Sequence, residues 1–255
     1  MELGRSKGQV EAPLNPGGAT LPLLSRYDRL HRERYEFATR ESRPSRYVDF
    51  GCGYGPGTNL VASETGASSL GLDIDPRCIS YANRRFGSST LRFRLLDDVT
   101  IPAQDGSVDL LTAFEVLEHL SEPHGRQLLS EARRVLATDG LFIGSTPNAG
   151  LPHSDFAFHL REYSPAELIR LSSGSGLSIR LLGQGAPSGT DAPLADRIGS
   201  SLPQQIRRTY LLKVVQSLIL AVRSPKLTEP IGCAGIGDFN ESTSATILFV
   251  MRLVP

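Results

Sequence analysis

The sequence predicts an α/β protein, a mostly parallel sheet with helices on both faces. Three observations carry that prediction. Short apolar runs alternate with amphipathic stretches along residues 46–182, a glycine cluster closes the first run, and aspartates stand at the ends of the next two. A parallel pair needs a crossover helix to return the chain, so this alternation covers the sheet on both sides.

Residues 1–24 hold Pro13, Pro16, Gly17, Gly18 and Pro22, a turn-forming composition that reads as a flexible arm. Tyr27, Leu30, Arg34, Phe37 and Ala38 follow at helical spacing, predicting a helix from Ser25 to about Arg40. Tyr47 to Phe50 is the first strand, and Thr58 to Thr65 its helix. Ser69 to Asp73 is the second strand, with Pro76 opening a helix that runs to Phe86. Leu91 to Leu96 and Val108 to Ala113 are the third and fourth strands. Leu128, Leu129, Ala132, Val135 and Leu136 form one face of a helix from Glu122 to Ala137, stopped by Asp139-Gly140, and Leu141 to Ser145 is the fifth strand. Ser164-Pro165-Ala166-Glu167 carries the cap, first-turn proline and acidic third position of a helix start. Leu177 to Leu182 and Ala245 to Val254 are the last two strands. Their separation of about 60 residues is long enough to need structure of its own, and a helix is expected from Pro203 to Val222.

With 27 Lys+Arg against 27 Asp+Glu the chain has no formal net charge, which argues against nucleic acid as a partner held by bulk attraction. Cys52, Cys78 and Cys233 are odd in number and far apart, the pattern of a reducing, cytoplasmic setting rather than a disulfide framework. The Met1-Glu2 start suggests no signal peptide, and no apolar run is long enough to span a bilayer.

The glycine cluster is the most informative stretch. In an open α/β sheet, ligands bind beyond the carboxyl ends of the strands, where neighbouring connections part. Gly51, Gly53 and Gly55 lie at that place after the first strand and let a ligand approach the main chain. A dinucleotide fingerprint needs glycine at position 56, which is Pro56, so a nicotinamide cofactor is disfavoured. Asp73 stands at the next strand end, at the spacing of a ribose-binding carboxylate, and Asp97-Asp98 at the one after. Singly, each aspartate would be an ordinary turn residue; three in register favour a ligand.

Over Arg46 to Leu182 the chain resembles the class I S-adenosylmethionine-dependent methyltransferases. Val48-Asp49-Phe50-Gly51-Cys52-Gly53-Tyr54-Gly55 resembles their first motif, Gly71-Leu72-Asp73-Ile74-Asp75 the acidic second-strand end, and Leu96-Asp97-Asp98 through Ile101-Pro102 the adenine segment. Asp109 to Glu115 and Arg134 to Gly140 match as well, although Thr138-Asp139-Gly140 stands where the family usually has Pro-Gly-Gly. The resemblance implies a Rossmann-like sheet of seven strands with the last antiparallel, in a single domain over 25–255 interrupted at about 183–240. It implies S-adenosyl-L-methionine as donor, with Asp73 on the ribose, Ile74 against the adenine and Asp97, beside Asp98, on its amino group. Asp49, Gly51 and Phe114 would surround the methionine part, with Cys52, Gly53 and Gly55 completing the loop.

The acceptor side is expected after the fourth strand, where Glu115, Glu118 and His119 stand at i, i+3 and i+4 and would share one face of a helical turn. These are the candidate catalytic residues. With His159 they could ligate a divalent cation, magnesium rather than zinc because carboxylates dominate and no cysteine is near. The simpler alternative is that Glu118 and His119 fix a loop; without an ion, His119 could act as general base. The arrangement resembles ubiquinone-pathway O-methyltransferases, RNA 3′-terminal 2′-O-methyltransferases and bacterial glycan O-methyltransferases. It implies O-methylation of a sugar, glycan or other small-molecule acceptor, with N- or C-methylation and a phenolic quinone precursor as alternatives. A non-catalytic adenosyl-binding module would need none of these four residues. His31, His124 and His153 have no comparable constellation. The apolar face in the long insertion suits packing on its own domain, with a second subunit, and hence a homodimer, as the next occupant.

Overall fold

The structure, a computed structural model, describes residues 22–150, 159–185, 235–240 and 244–254. The chain divides into two units, His31–Ala186 with Gly235–Pro255, and Met1–Leu30 with Pro187–Ala234. Everything that follows concerns the first of these. The expected helix from Pro203 to Val222, the arm through residue 21, His153 and Cys233 lie outside the described residues.

Helix α1 spans Pro22–Ser42, so the last three positions expected in the arm belong to a helix instead. Strand β1 (Arg46–Phe50) leads to α2 (Pro56–Thr65), β2 (Ser68–Asp73) to α3 (Pro76–Phe86), and β3 (Leu91–Leu95) to β4 (Val108–Phe114). A 3-10 turn at Leu117–His119 precedes α4 (Glu122–Val135), then β5 (Leu136–Pro147), α5 (Pro165–Ser172), β6 (Leu177–Gly185), β7 (Ile236–Asp238) and β8 (Ser244–Leu253). The sheet therefore has eight strands rather than seven, in the order β3-β2-β1-β4-β5-β8-β6-β7. β1 to β5 pair in parallel, and β8 enters antiparallel between β5 and β6. The additional strand, β7, pairs with Leu182 to Gln184 at the edge. It is three residues long, and the Gly-rich stretch around it gave no alternation to read.

Two boundaries differ from the sequence reading. α4 ends at Val135, and β5 starts at once with Leu136, whose ψ of 132° has left the helix. Asp139-Gly140 is therefore part of a strand lead-in and not a helix stop. A side chain at Gly140 would press on the carbonyls of Val108 and Ala137, so close packing against β4 explains this glycine. The interruption expected from 183 begins later, since β6 continues to Gly185.

The sheet's two faces build the core. Val48, Leu111, Phe142, Ile247 and Phe249 pack with Leu128, Leu129, Ala132 and Val135 of α4 on one side. Tyr47, Leu110, Ile143, Leu248 and Val250 pack with Tyr35 and Ala38 of α1 and Val61 of α2 on the other. The apolar stripe predicted on α4 is fully buried. The Ser164 and Glu167 capping box forms as its sequence indicates, starting α5. Among the described residues, no helix is long and apolar enough to cross a membrane.

Candidate active site

The order of the sheet reverses direction between β1 and β4, and all the candidate residues gather at strand ends beside that reversal. The loop after β1 is held in an open curl by Gly51, Gly53 and Gly55, with φ of 80°, 53° and 87°. Its amides are engaged internally. Those of Gly51 and Cys52 donate to the Leu72 carbonyl at 2.7 and 2.9 Å, that of Gly53 to Asp73 Oδ2 at 2.8 Å, and that of Gly55 to the Cys52 carbonyl at 3.0 Å. A pyrophosphate cradle would aim such donors at its ligand. This loop instead offers bare main chain: a Cβ at Gly53 would project into open space, the room that a close-fitting ligand requires.

Asp73 accepts from Gly53 through one oxygen and from the Asp75 amide, at 2.9 Å, through the other. Burial raises its pKa, opposed by those two amides. A carboxylate has about four acceptor sites, so both oxygens retain capacity for ribose hydroxyls. Beside it Ile74 is 66% exposed, an apolar side chain standing in the open where an adenine ring would cover it. Asp97 and Asp98 are exposed at the end of β3, and Asp98 uses one oxygen on the Thr100 amide at 2.7 Å. These features fit an adenosyl group, and S-adenosylmethionine bound here would supply the electrophilic methyl.

Three residues expected to line the cofactor have other tasks. Asp49 is 1% exposed beneath the loop, where Thr112 and Thr58 each donate to it at 2.7 Å and Tyr35 at 3.1 Å. It fastens β1 to β4, α2 and α1. The Cys52 side chain turns into a core cluster with Ile79, Ala82, Leu91 and Phe93, and burial raises its thiol pKa beyond any reactive range. Phe114 is 4% exposed and meets Tyr35 edge to face at 4.8 Å.

Burial pushes the Asp49 pKa up to about 6 against the pull of three hydroxyls, so the folded state binds its proton more tightly than the unfolded state, whose value is near 3.8. Its contribution to stability is therefore full below about pH 4 and lost as the pH rises through 6, a difference on the order of 3 kcal/mol. Asp49→Asn should flatten the stability profile between pH 4 and 6, measured by urea denaturation at successive pH values. A profile with the same slope in that window would refute this account.

The acceptor side departs further from expectation. Glu115, Glu118 and His119 do not share a helical turn: Glu115 has a left-handed φ of 54°, and only Leu117–His119 coil into the 3-10 turn. The two glutamates consequently part. Glu115 Oε1 accepts from Arg34 at 2.9 Å and from Ser145 Oγ at 2.7 Å. Burial raises its pKa, and Arg34 outweighs that effect and leaves it below the usual glutamate value. Glu118 is fully buried, and Thr146 Oγ1 donates to its Oε2 at 3.1 Å, while Oε1 has no hydrogen-bond partner. Burial first, then the Glu115 charge, pushes its pKa up to about 8.

The Glu118 carbonyl accepts from the amides of Leu160 and Arg161 at 2.8 and 3.2 Å, which brings His159 over the turn. His119 and His159 meet edge to face at 5.1 Å, and one donor atom from each of Glu118, His119 and His159 lies within 4.8 Å of the others. Glu115 is outside this group. An orphaned buried carboxylate oxygen beside two imidazoles is a donor set that fits a divalent cation.

Arg34 is the functional residue that sequence reasoning missed. It is 3% exposed and also donates to Gln184 Oε1 at 2.8 Å, Ser145 Oγ at 3.1 Å and Thr246 Oγ1 at 3.3 Å. The signal was present: an arginine inside an apolar helical stripe needs a buried partner. Neighbouring His31, approached by Arg34 Nη1 at 3.5 Å, has its pKa lowered to about 3 by burial and by that charge, and is neutral.

Comparison with known proteins agrees with this geometry. A methyltransferase-domain family profile matches residues 48–144. A probable S-adenosylmethionine-dependent methyltransferase of Mycolicibacterium smegmatis is 31% identical over 201 residues, covering 75% of this chain and 76% of the relative. One of Mycobacterium tuberculosis is 28% identical over 168 residues, covering 63% and 60%. Geranyl diphosphate C-methyltransferase of Streptomyces coelicolor, solved with Mg2+ and S-adenosyl-L-homocysteine, shares the fold with a TM-score of 0.59 at 17% identity, covering 95% of this chain and 91% of that one.

Proposed function

The chain belongs to the class I S-adenosylmethionine-dependent methyltransferases, and from that premise we propose that it methylates a hydroxyl of a sugar, glycan or other small metabolite with help from a divalent cation. The observation that carries the reading is the Glu118, His119 and His159 cluster, with its orphaned Glu118 oxygen, beside the β4 end. An amine or carbanion acceptor does not need such a group to the same degree. An aliphatic hydroxyl is barely ionised at neutral pH and must be positioned and relieved of its proton.

The transfer is an in-line displacement. The acceptor oxygen forms a bond to the methyl carbon, the bond from that carbon to sulfur breaks with its electron pair left on sulfur, and S-adenosylhomocysteine departs. The loop after β1 and Asp73 hold the adenosyl end, leaving the sulfur side to face the β4 and β5 tips. His119 takes the hydroxyl proton at an imidazole nitrogen. Glu118, His119 and His159 would hold the cation, which when bound orients the hydroxyl and lowers its pKa. Glu115 serves as an anchor for α1 through Arg34.

Full-length protein, methyl-labelled donor and a panel of hydroxylated acceptors test the reading, with product connectivity assigned by NMR. An O-methyl product whose formation drops on addition of a strong chelator is expected. A product labelled at nitrogen or carbon, or turnover indifferent to the chelator, would overturn it.

A further inference from the structure

Taking as its basis the reading that this cluster receives a cation, we propose that Arg34 is a specificity-determining residue: by withholding Glu115 it leaves a site with two imidazoles and one carboxylate, suited to a borderline transition ion and not to magnesium.

The four candidate ligands would form a balanced set if Glu115 joined them, two carboxylates with two imidazoles. The structure removes it. Arg34 is fixed by Gln184 of β6, Ser145 of β5 and Thr246 of β8, so its guanidinium cannot follow Glu115 outward, and Ser145 Oγ holds the same glutamate oxygen from a second direction. The left-handed main chain at Glu115 sets it apart from the turn that bears Glu118 and His119. The carboxylate is already neutralised by a cation that belongs to the protein.

The remaining donors are two nitrogens and one oxygen. Magnesium demands near-octahedral oxygen coordination and sheds its water reluctantly, whereas imidazole suits manganese, cobalt and zinc increasingly along the first transition row. The supports match a ligand set: Thr146 orients Glu118, and Glu162 Oε1 stands 3.3 Å from His159 Nδ1, the carboxylate backing common behind ligating histidines. Donors bound at about 2.1 Å in a tetrahedral set lie about 3.4 Å apart. The separations within 4.8 Å found here close to that by side-chain rotation.

The test is direct metal binding to the full chain, with Co2+, Mn2+, Zn2+ and Mg2+ each titrated alone by calorimetry and Co2+ also followed by its visible absorption. One Co2+ should bind per chain, about 100-fold or more tighter than Mg2+, and the absorption band should disappear in His119→Ala and His159→Ala. Glu115→Gln should keep Co2+ affinity within about threefold, because Glu115 is not a ligand. Arg34→Gln, where it folds, should narrow the preference by admitting Glu115 to the ion. Equal affinity for Mg2+, or loss of the cobalt band in Glu115→Gln, would overturn the role of Arg34 and leave the cation reading standing. Failure of every ion to bind at millimolar concentration would overturn both.

Discussion

Asp73→Ala should weaken S-adenosylhomocysteine binding by about 100-fold or more, measured by calorimetry on the purified chain. Two effects combine. The carboxylate that would accept the ribose hydroxyls is removed, and charge-assisted hydrogen bonds of this kind contribute about 1.5–3 kcal/mol each. The same deletion frees the amides of Gly53 and Asp75, so the loop after β1 loses the tie that sets its curl. Asp73→Asn retains the shape and one acceptor oxygen, and should fall between the two. Affinity within threefold of the parent in Asp73→Ala would show that the adenosyl group is held elsewhere.

Arg34→Met should cost about 3–5 kcal/mol of folding stability, the range for removing one member of a buried ion pair. The loss has a specific origin. Glu115 is left without the charge that outweighs its burial, and acceptors on Gln184, Ser145 and Thr246 lose a shared donor. Because Arg34 depresses the Glu115 pKa in the folded chain, the stabilisation is present at neutral pH and is lost as the pH falls below the unfolded value near 4.5. The difference between parent and variant, read from urea denaturation, should therefore shrink at low pH. Adding Glu115→Gln to Arg34→Met should recover part of the loss. A single variant within 1 kcal/mol of the parent would mean that α1 is fastened by its apolar contacts alone.

The parts of the fold legible in the sequence are those dictated by local pattern. α3 and the cap of α5 lie where Pro76 and Ser164 place them, since proline and the capping box act within one turn. The glycine loop and Asp73 were legible for the same reason, a short spacing along one connection. What escaped depends on contacts between distant residues. Asp49 was read as a ligand-facing carboxylate, and only the arrival of Thr112 and Tyr35 from other elements shows it committed beneath the loop. Spacing at i, i+3 and i+4 assumed a regular helix at Glu115, whereas its left-handed conformation separates it from Glu118. The Arg34 pair joins residues 81 positions apart, which no local window can reveal.

The reversal of strand order has a consequence for reuse of this scaffold. Groups suited to the methyl donor hang from β1, β2 and β3, whereas Glu115, Ser145, Gln184 and Thr246, with Arg34 among them, belong to the β4, β5, β6 and β8 half. An engineer could therefore rewrite the half that meets the acceptor as an exchangeable cassette, keeping the seam between β1 and β4 as the fixed joint and Asp49 as its rivet.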